Sequence, residues 1–389
     1  MPVPDVIKRL FPGPVRRALR RVWPANPVVE TPPDPTPDPA QWERFAPRFY
    51  LDRLDQTPEG VGVSGWVALL AGDARGFTPL WNGTPFAVLE RIPRPDVPTT
   101  MPWLTPEGGW LVEGFNAHTG LHPDLPAAGG WLRVEPGDAA GRPRPDLGPP
   151  SCLRVPTATD PPWPDPVRRR RVHGDTDLTA FRRLGGTAFL QLREALRRCL
   201  SADLTDFPRV LDWGCGCGRV LRHFADLPGC RVTGVDVDAD NVEWSREHLP
   251  FADFATVPLH PPTALPAGGF DLAFGVSVFT HLREPDQFEW LAELARVVRP
   301  GGVVLVTYHG AAAVATSRLP KALHERLGRH GFLDFANELY DAALPEPDYY
   351  RNTYHTDEYI RREWGKYFEV TTLLPLWIGS QNLAVLRRR

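Results

Sequence analysis

The feature that most constrains the fold is an alternation of strand-like and helix-like segments in the C-terminal half of the chain. Short apolar runs recur from residue 209 onward, and segments with apolar residues three and four positions apart lie between them. This pattern, repeated about every 20 to 30 residues, predicts a parallel sheet with right-handed helical crossovers. The strand-like runs are RVLDW, RVTGVD, FATV, DLAFGV and GVVLVTY.

The stretch RVLDWGCGCGRVLRHF, residues 209–224, lies at the first predicted strand-to-helix connection. The pattern predicts a strand over 209–213, a glycine turn over 214–218 and a helix from about residue 219. In a doubly wound sheet, ligands bind at the carboxyl ends of the strands where the strand order reverses. We therefore expect this turn to bind a nucleoside cofactor.

Two other readings of the glycine turn are weaker. Cys215 and Cys217 lack a second pair at metal-ligand spacing, so no metal site is predicted. A dinucleotide turn, as in a nicotinamide oxidoreductase, needs a third glycine where the chain has Arg219.

The pattern Asp212-x-Gly214-x-Gly216-x-Gly218 resembles the first motif of the class I S-adenosylmethionine-dependent methyltransferases. The resemblance implies that the turn, Cys215 included, approaches the amino acid part of the cofactor and that Asp212 anchors its ammonium. It further implies that Asp236, with Val237 beside it, accepts the ribose hydroxyls, as two carboxylate oxygens suit a vicinal diol. Asp212 and Asp236 are alternatively helix caps or turn residues, and Ser277 either contacts the cofactor or caps its loop. A side chain at Gly216 is expected to fill space that the cofactor requires.

The resemblance covers the chain from 172 to 389 and includes FDLAFGVSVFTHL, RVVRPGGVVLVTY and two terminal strand-like runs. It implies a Rossmann-like, doubly wound α/β fold with a seven-stranded sheet and a terminal antiparallel hairpin. A helical insertion is predicted at about 310–365.

Residues 41–155 contain short apolar or aromatic runs bounded by Gly, Pro, Asn or Asp, which predicts an all-β sandwich. SGWVALL, NGTPF, RPDV and EGF resemble a β-sandwich module of bacterial glycosyltransferases and polysaccharide-modifying enzymes. Trp66 and Phe115 of these runs are predicted to be core residues rather than ligand platforms.

Residues 1–40 are predicted to be a basic stretch followed by a Pro-rich linker, and residues 156–171 a second, Pro- and Arg-rich linker. The basic stretch fits either weak contact with an anionic membrane surface or a solvated tail. The four arginines at 168–171 are expected to be solvated, with contact to phosphate or an anionic glycan as the alternative.

The net charge of −3 and five Cys without a C-x-x-C motif favour a cytoplasmic protein with no obligatory nucleic acid partner. If the basic stretch binds the membrane, the protein is expected to be peripheral to its inner face.

His281 and His309 follow predicted strand ends and are the candidate catalytic bases, whereas His355 lies in the insertion. Together with the sandwich, the motifs predict O-methylation of a carbohydrate or glycan-linked acceptor. The alternatives are methylation of a small metabolite or protein and a catalytically silent glycan-binding scaffold. The sequence does not predict the oligomeric state.

Overall fold

The computed structural model describes most of the chain from residue 48 onward. The basic stretch and linker predicted within residues 1–40 lie outside the described part. The described residues are 48–57, 60–70, 76–81, 84–86, 88–100, 110–118, 130–137, 142, 151–155, 160–227, 229–310, 313–314, 320–336, 346 and 348–389.

The N-terminal part forms two four-stranded antiparallel sheets, in the orders β1-β2-β6-β5 and β4-β3-β7-β8. A short helix, α1 (Asp96–Thr100), follows β5. The strands are β1 (Arg48–Thr57), β2 (Gly60–Leu70), β3 (Gly76–Trp81), β4 (Thr84–Pro85), β5 (Val88–Pro93), β6 (Trp110–His118), β7 (Gly130–Gly137) and β8 (Ser151–Val155).

Residues of the RPDV and EGF runs meet in the first of these sheets. The Arg94 guanidinium donates to Asp96 at 2.8 and 2.7 Å and also pairs with Asp52. Gly114 leaves room for this arrangement, since a Cβ there would lie 2.5 Å from Arg94 Cγ. Trp66 and Phe115 are buried, which confirms that they are core residues. The two runs are therefore linked by packing around one arginine.

The C-terminal part contains the predicted seven-stranded sheet, in the order β11-β10-β9-β12-β13-β17-β16. The first five strands of this order are parallel, whereas β17 pairs antiparallel with both β13 and β16. The α/β alternation and the terminal hairpin are thus confirmed. The strands are β9 (Arg209–Trp213), β10 (Arg231–Asp236), β11 (Asp253–Thr256), β12 (Phe270–Gly275), β13 (Val298–Tyr308), β16 (Phe368–Ile378) and β17 (Gln381–Arg388).

Helices cover both faces of this sheet. Successive strand residues point to opposite faces, so Val210 packs with Leu192 of α3 while Leu211 packs with Leu291 of α5. In the described part of the chain, no helix is both long enough and apolar enough to span a membrane. The longer helices are α2 (Pro166–His173), α3 (Leu178–Leu200), α4 (Ala239–His248), α5 (Glu284–Val297), α6 (Lys321–His330) and α7 (Asp357–Glu363).

The insertion differs from the helical prediction. It contains α6 and α7, but between them β14 (Phe332–Ala336) and β15 (Arg351–His355) pair as an antiparallel two-stranded sheet. A second difference follows the glycine turn, where the chain continues in turns and forms a 3₁₀ helix only over Leu221–Asp226. Both differences arise where local patterns resemble helices but tertiary contacts set the backbone.

The arginines at 168–171 also differ from the prediction of a solvated linker. They lie in α2, whose N-terminus is capped by Asp165 and whose C-terminus ends at Gly174 in a left-handed conformation. Arg168 and Arg171 pair with carboxylates of the α/β unit, so these side chains are held in ion pairs rather than fully solvated.

Candidate functional site

The candidate site lies at the carboxyl ends of β9 and β10. β9 occupies the middle of the sheet between β10 and β12, and the strand order reverses between β9 and β12. Asp212 lies near the end of β9 and Asp236 ends β10, so the fold brings the two predicted carboxylates to the same edge. This is the edge where a doubly wound sheet binds its ligand.

Asp212 is a buried carboxylate with an unsatisfied oxygen. Its side chain is 3% exposed, and its Oδ2 atom has no hydrogen-bond partner. Burial raises the pKa of Asp212 well above its usual range, and the charge of Asp236 adds to this while that of Arg219 opposes it. A buried acceptor without a partner is costly, so this oxygen is suited to a donor from a ligand.

Asp236 receives backbone hydrogen bonds on both oxygens. Oδ2 accepts from the Gly216 N–H at 2.7 Å and Oδ1 from the Asp238 N–H at 2.9 Å. Burial raises the pKa of Asp236, although these backbone donors oppose the rise. Each carboxylate oxygen can accept a second hydrogen bond, so the group is anchored to the turn and still has capacity for a diol.

The glycines of the turn adopt left-handed backbone conformations. Gly214 has φ 78° and Gly216 φ 52°, which other residues rarely adopt. A Cβ at Gly214 would lie 2.4 Å from Val278 Cγ2, whereas one at Gly216 would lie 2.7 Å from Val172 Cγ2. The expectation that a Gly216 side chain enters cofactor space was therefore wrong, because it would meet helix α2. Gly218 shares the left-handed conformation, with φ 72°.

Helix α2 lies against this turn through more than Val172. Arg171 pairs with Asp238 and, at 2.8 Å, with Asp240, and Arg168 Nη2 donates to Asp240 at 2.8 Å. Sequence reasoning missed this contact, because the partners are about 70 residues apart and exposed ion pairs leave no hydrophobic periodicity.

Cys215 and Val237 have packing roles. Cys215 is buried, and a Cβ at Gly234 would lie 2.9 Å from its Sγ atom. Burial raises the pKa of Cys215 well above its usual range and that of Cys217 to about 12, so both thiols are protonated at neutral pH. Val237 is half-buried and packs against the core cluster that contains Leu211 and Leu291. Whether either residue also contacts a cofactor stays a prediction.

Ser277 has an unusual backbone for a serine, with φ 64°. Its N–H donates to Thr307 Oγ1 at 2.7 Å, and its hydroxyl oxygen accepts from Gln381 Nε2 at 2.8 Å. These bonds hold the loop between β12 and α5 in place, and contact of Ser277 with the cofactor stays a prediction.

His281 and His309 are brought together at the ends of β12 and β13. Their ring centroids are 6.5 Å apart. Nδ1 of His281 lies 2.8 Å from the Arg351 carbonyl oxygen and Nδ1 of His309 lies 3.0 Å from that of Thr353, both in β15. Burial lowers the pKa of each ring to about 4.

The carbonyl contacts fix the tautomer of both rings. A carbonyl oxygen only accepts, so Nδ1 carries the hydrogen and Nε2 has the free lone pair. Among the described residues, the only hydrogen bonds of these two rings are those made by Nδ1. The loop that leads to His281 touches the glycine turn through Val278 and Gly214, so this loop borders the candidate cofactor site.

His355 is structural. It is fully buried, and its Nε2–H donates to Gln287 Oε1 at 2.9 Å. Gln287 Nε2 in turn donates to the carbonyl oxygens of Phe279 and Leu282. The ring therefore fastens β15 to the loop that carries His281.

One cluster of the described residues has metal-ligand chemistry, formed by ligand atoms of His260, Asp286 and Glu289 within 4.8 Å of one another. Two of its members, His260 and Asp286, are already paired with side chains outside the cluster. Arg283 Nε donates to Asp286 at 2.6 Å, and His260 Nε2 lies 2.8 Å from Glu346. The cluster links the insertion to α5 by ion pairs.

Residues 210–302 match the methyltransferase domain family. These residues run from β9 to the tight turn in β13. They include the glycine turn, Asp236 and the loop that carries His281. This part of the α/β unit is a methyltransferase domain.

Three curated relatives match parts of the chain. A 2-methyl-6-phytyl-1,4-hydroquinone methyltransferase of Synechocystis is 36% identical over 25% of this chain and 30% of that relative. A malonyl-[acyl-carrier protein] O-methyltransferase of Enterobacter lignolyticus is 33% identical over 40% of this chain and 60% of that relative. A trans-aconitate 2-methyltransferase of Azoarcus is 36% identical over 26% of this chain and 40% of that relative. The chain thus spans 30% to 60% of the length of these relatives.

The residues of the methyltransferase domain fit its cofactor, S-adenosylmethionine. Asp212 and Asp236 lie close enough for the charge of Asp236 to act on Asp212, and two neighbouring carboxyl groups suit a cofactor with ammonium and sulfonium groups. The same pair would repel the pyrophosphate of a dinucleotide. Asp212 would hold the ammonium and Asp236 the ribose hydroxyls.

Proposed function

We propose that this protein transfers a methyl group from S-adenosylmethionine to a hydroxyl oxygen. When bound, S-adenosylmethionine supplies an electrophilic methyl group on a sulfonium. The observation that carries the hydroxyl acceptor is the pair of neighbouring histidines, His281 and His309, whose Nδ1 atoms bond carbonyl oxygens and leave Nε2 as the acceptor. The loop that leads to His281 touches the glycine turn.

A hydroxyl acceptor requires a group that orients its O–H bond and takes its proton as the new O–C bond forms. His281 and His309 have pKa values of about 4, so both rings are neutral at neutral pH. Each Nε2 is ready to accept a hydrogen bond, and its ring is fixed by β15 so that little reorientation is needed. As positive charge leaves the sulfonium, it reappears on the protonated imidazole, so the site's total charge is unchanged.

A low pKa limits how strongly these histidines act as bases. Proton transfer contributes most when the pKa of the base is near the working pH. We therefore assign them chiefly an orienting role, with proton transfer late in the reaction.

We further propose a carbohydrate or glycan-linked alcohol as the acceptor. The support is the resemblance of residues 41–155 to β-sandwich modules of polysaccharide-modifying enzymes, and we propose a sandwich arrangement for the two four-stranded sheets. Sugar hydroxyls are weakly acidic, so they need the kind of acceptor that His281 and His309 offer.

The names of two relatives favour a second candidate, methylation of a carboxylate. One is named for malonyl-[acyl-carrier protein] and the other for trans-aconitate. A carboxylate is already ionised at neutral pH and needs no base. The two candidates therefore differ in their dependence on the histidines.

The test is transfer of a labelled methyl group from S-adenosylmethionine to a panel of glycans, sugar alcohols and di- and tricarboxylic acids. His281→Asn and His309→Asn keep a donor for the β15 carbonyls but remove Nε2, and His330→Asn at an exposed position is the matched control. Labelling of hydroxyls that falls in both site variants supports the proposal. Labelling of carboxylates that is unchanged in these variants would favour the second candidate.

A catalytically silent glycan-binding scaffold remains the rival from another class. It predicts that S-adenosylhomocysteine binds without any labelled product, while glycans bind to the N-terminal sheets. Labelled product on any acceptor contradicts it.

A further inference from the structure

Arg219 directly follows the glycine turn, and its guanidinium makes no direct ion pair with a described carboxylate. Its Nη1 atom lies 3.4 Å from His173 Nδ1, and its Nε atom is buried with no hydrogen-bond partner. Among the described residues, it has no ion-pair partner, although Arg168 and Arg171 nearby are paired. Burial lowers the pKa of Arg219, which shows how poorly its charge is compensated.

Asp212 is the matching unsatisfied group of opposite sign. Its Oδ2 atom is buried without a partner, and no hydrogen bond joins it to Arg219. The two residues lie on either side of the glycine turn and are close enough for each charge to act on the other. An acid and a guanidinium that lie within electrostatic range and each keep a buried polar atom without a partner fit a ligand that carries both signs of charge.

The position of Arg219 is fixed by a glycine inside helix α3. A Cβ at Gly185 would lie 2.3 Å from the Arg219 carbonyl oxygen and 3.1 Å from its Cγ. Glycine within a helix costs about 1 kcal/mol relative to alanine, so this close approach needs a compensating reason. The close approach lets α3 pack directly against the backbone and the Cγ atom of Arg219.

We propose that Arg219 binds the α-carboxylate of the methionine part of the cofactor while Asp212 binds its α-ammonium. The inference rests on the proposed function, since it concerns the same cofactor site. The guanidinium is a planar fork of donors that matches a carboxylate, and the zwitterion neutralises both residues at once.

The test compares two ligands that differ only in the carboxylate. They are S-adenosylhomocysteine and its decarboxylated analogue, 5′-deoxy-5′-(3-aminopropylthio)adenosine, titrated calorimetrically into the full chain. We expect the wild type to bind S-adenosylhomocysteine about 10 to 150 times more tightly than the analogue, the range for one charged hydrogen-bonded contact. Arg219→Met is expected to remove this preference by weakening only the first ligand.

Arg222→Met is the matched control. Arg222 is also buried, but its guanidinium donates to the carbonyl oxygens of Pro161 and Pro162 and lies over Trp163. This change is expected to alter the affinity for both ligands by the same factor. Arg219→Lys keeps the charge and is expected to retain part of the preference, which provides a folded comparison if Arg219→Met does not fold.

Three outcomes overturn the inference. A wild type that binds both ligands equally shows that no group recognises the carboxylate. A folded Arg219→Met variant that keeps the wild-type preference, or that loses equal affinity for both ligands, shows that Arg219 does not bind it. A wild type that binds neither ligand overturns the proposed function itself, which distinguishes that failure from the others.

Discussion

Gly185 lies directly against the backbone of Arg219, so that a Cβ at position 185 would be only 2.3 Å from the Arg219 carbonyl oxygen. The contact joins the middle of α3 to the residue that follows the glycine turn. A backbone oxygen cannot rotate away as a side chain does, so any larger residue must move the helix or the turn.

Gly185→Ala is therefore expected to lower the free energy of unfolding by about 1 to 3 kcal/mol, as for an overpacked core position. It should also weaken binding of S-adenosylhomocysteine. Gly328→Ala in α6 is the control, because a Cβ there meets nothing within 4 Å. That change should stabilise the protein by up to about 1 kcal/mol through helix propensity. Urea denaturation and calorimetry measure both, and equal effects of the two variants would refute the contact.

Asp236→Asn is expected to weaken S-adenosylhomocysteine binding by about 1.5 to 3 kcal/mol, or roughly 10- to 150-fold, because charged hydrogen bonds to the ribose become neutral ones. Asp253→Asn, an exposed change at the start of β11, should leave the affinity unaltered. Unchanged affinity of the Asp236 variant would show that the ribose binds elsewhere.

The buried histidines predict acid destabilisation. In the unfolded chain they take up protons below about pH 6.5. In the folded protein burial lowers the pKa of His281 and His309 to about 4 and that of His355 to about 3. The unfolded state therefore binds more protons between these limits, and stability falls as the pH falls from 6.5 to 4.

Urea denaturation at pH 7 and pH 5 checks this prediction. The double variant His281→Asn and His309→Asn should lose less stability between the two pH values than the wild type. A wild type equally stable at both would show that the rings are not buried neutral.

Gly114→Ala tests the N-terminal sheets. The added Cβ would lie 2.5 Å from Arg94 Cγ and 2.8 Å from Ile92 Cγ1, so a loss of about 1 to 3 kcal/mol in stability is expected. Affinity for S-adenosylhomocysteine should not change, because Gly114 lies in a different sheet from the one that carries the glycine turn. A large loss of affinity would show that the two parts of the chain are energetically coupled.

The sequence predicts those features that local pattern determines. The ends of β9 and β10, and with them the positions of Asp212 and Asp236, follow from short apolar runs that end in an acid. The terminal hairpin of β16 and β17 is equally readable, since both runs are apolar and separated by a short turn.

Features that depend on contacts between distant parts of the chain cannot be predicted from local sequence patterns. Helix α2 has no fully buried residue and is placed by ion pairs to Asp238 and Asp240, so an arginine run beside prolines gives no sign of it. The β14–β15 pair lies in a segment whose apolar spacing resembles a helix. Arg219 was noted only as the residue that breaks a dinucleotide motif, although the glycine in the middle of α3 was a usable sign of a close approach.

The strand β15 receives the Nδ1–H groups of both His281 and His309, yet it belongs to the insertion rather than to the sheet. The parts that would hold the methyl donor are contributed by residues 209–240, about a hundred positions earlier in the chain. Under the proposed function, donor recognition and acceptor orientation are therefore encoded in separate stretches. Replacing the insertion is expected to change which alcohol is methylated without changing the affinity for the methyl donor.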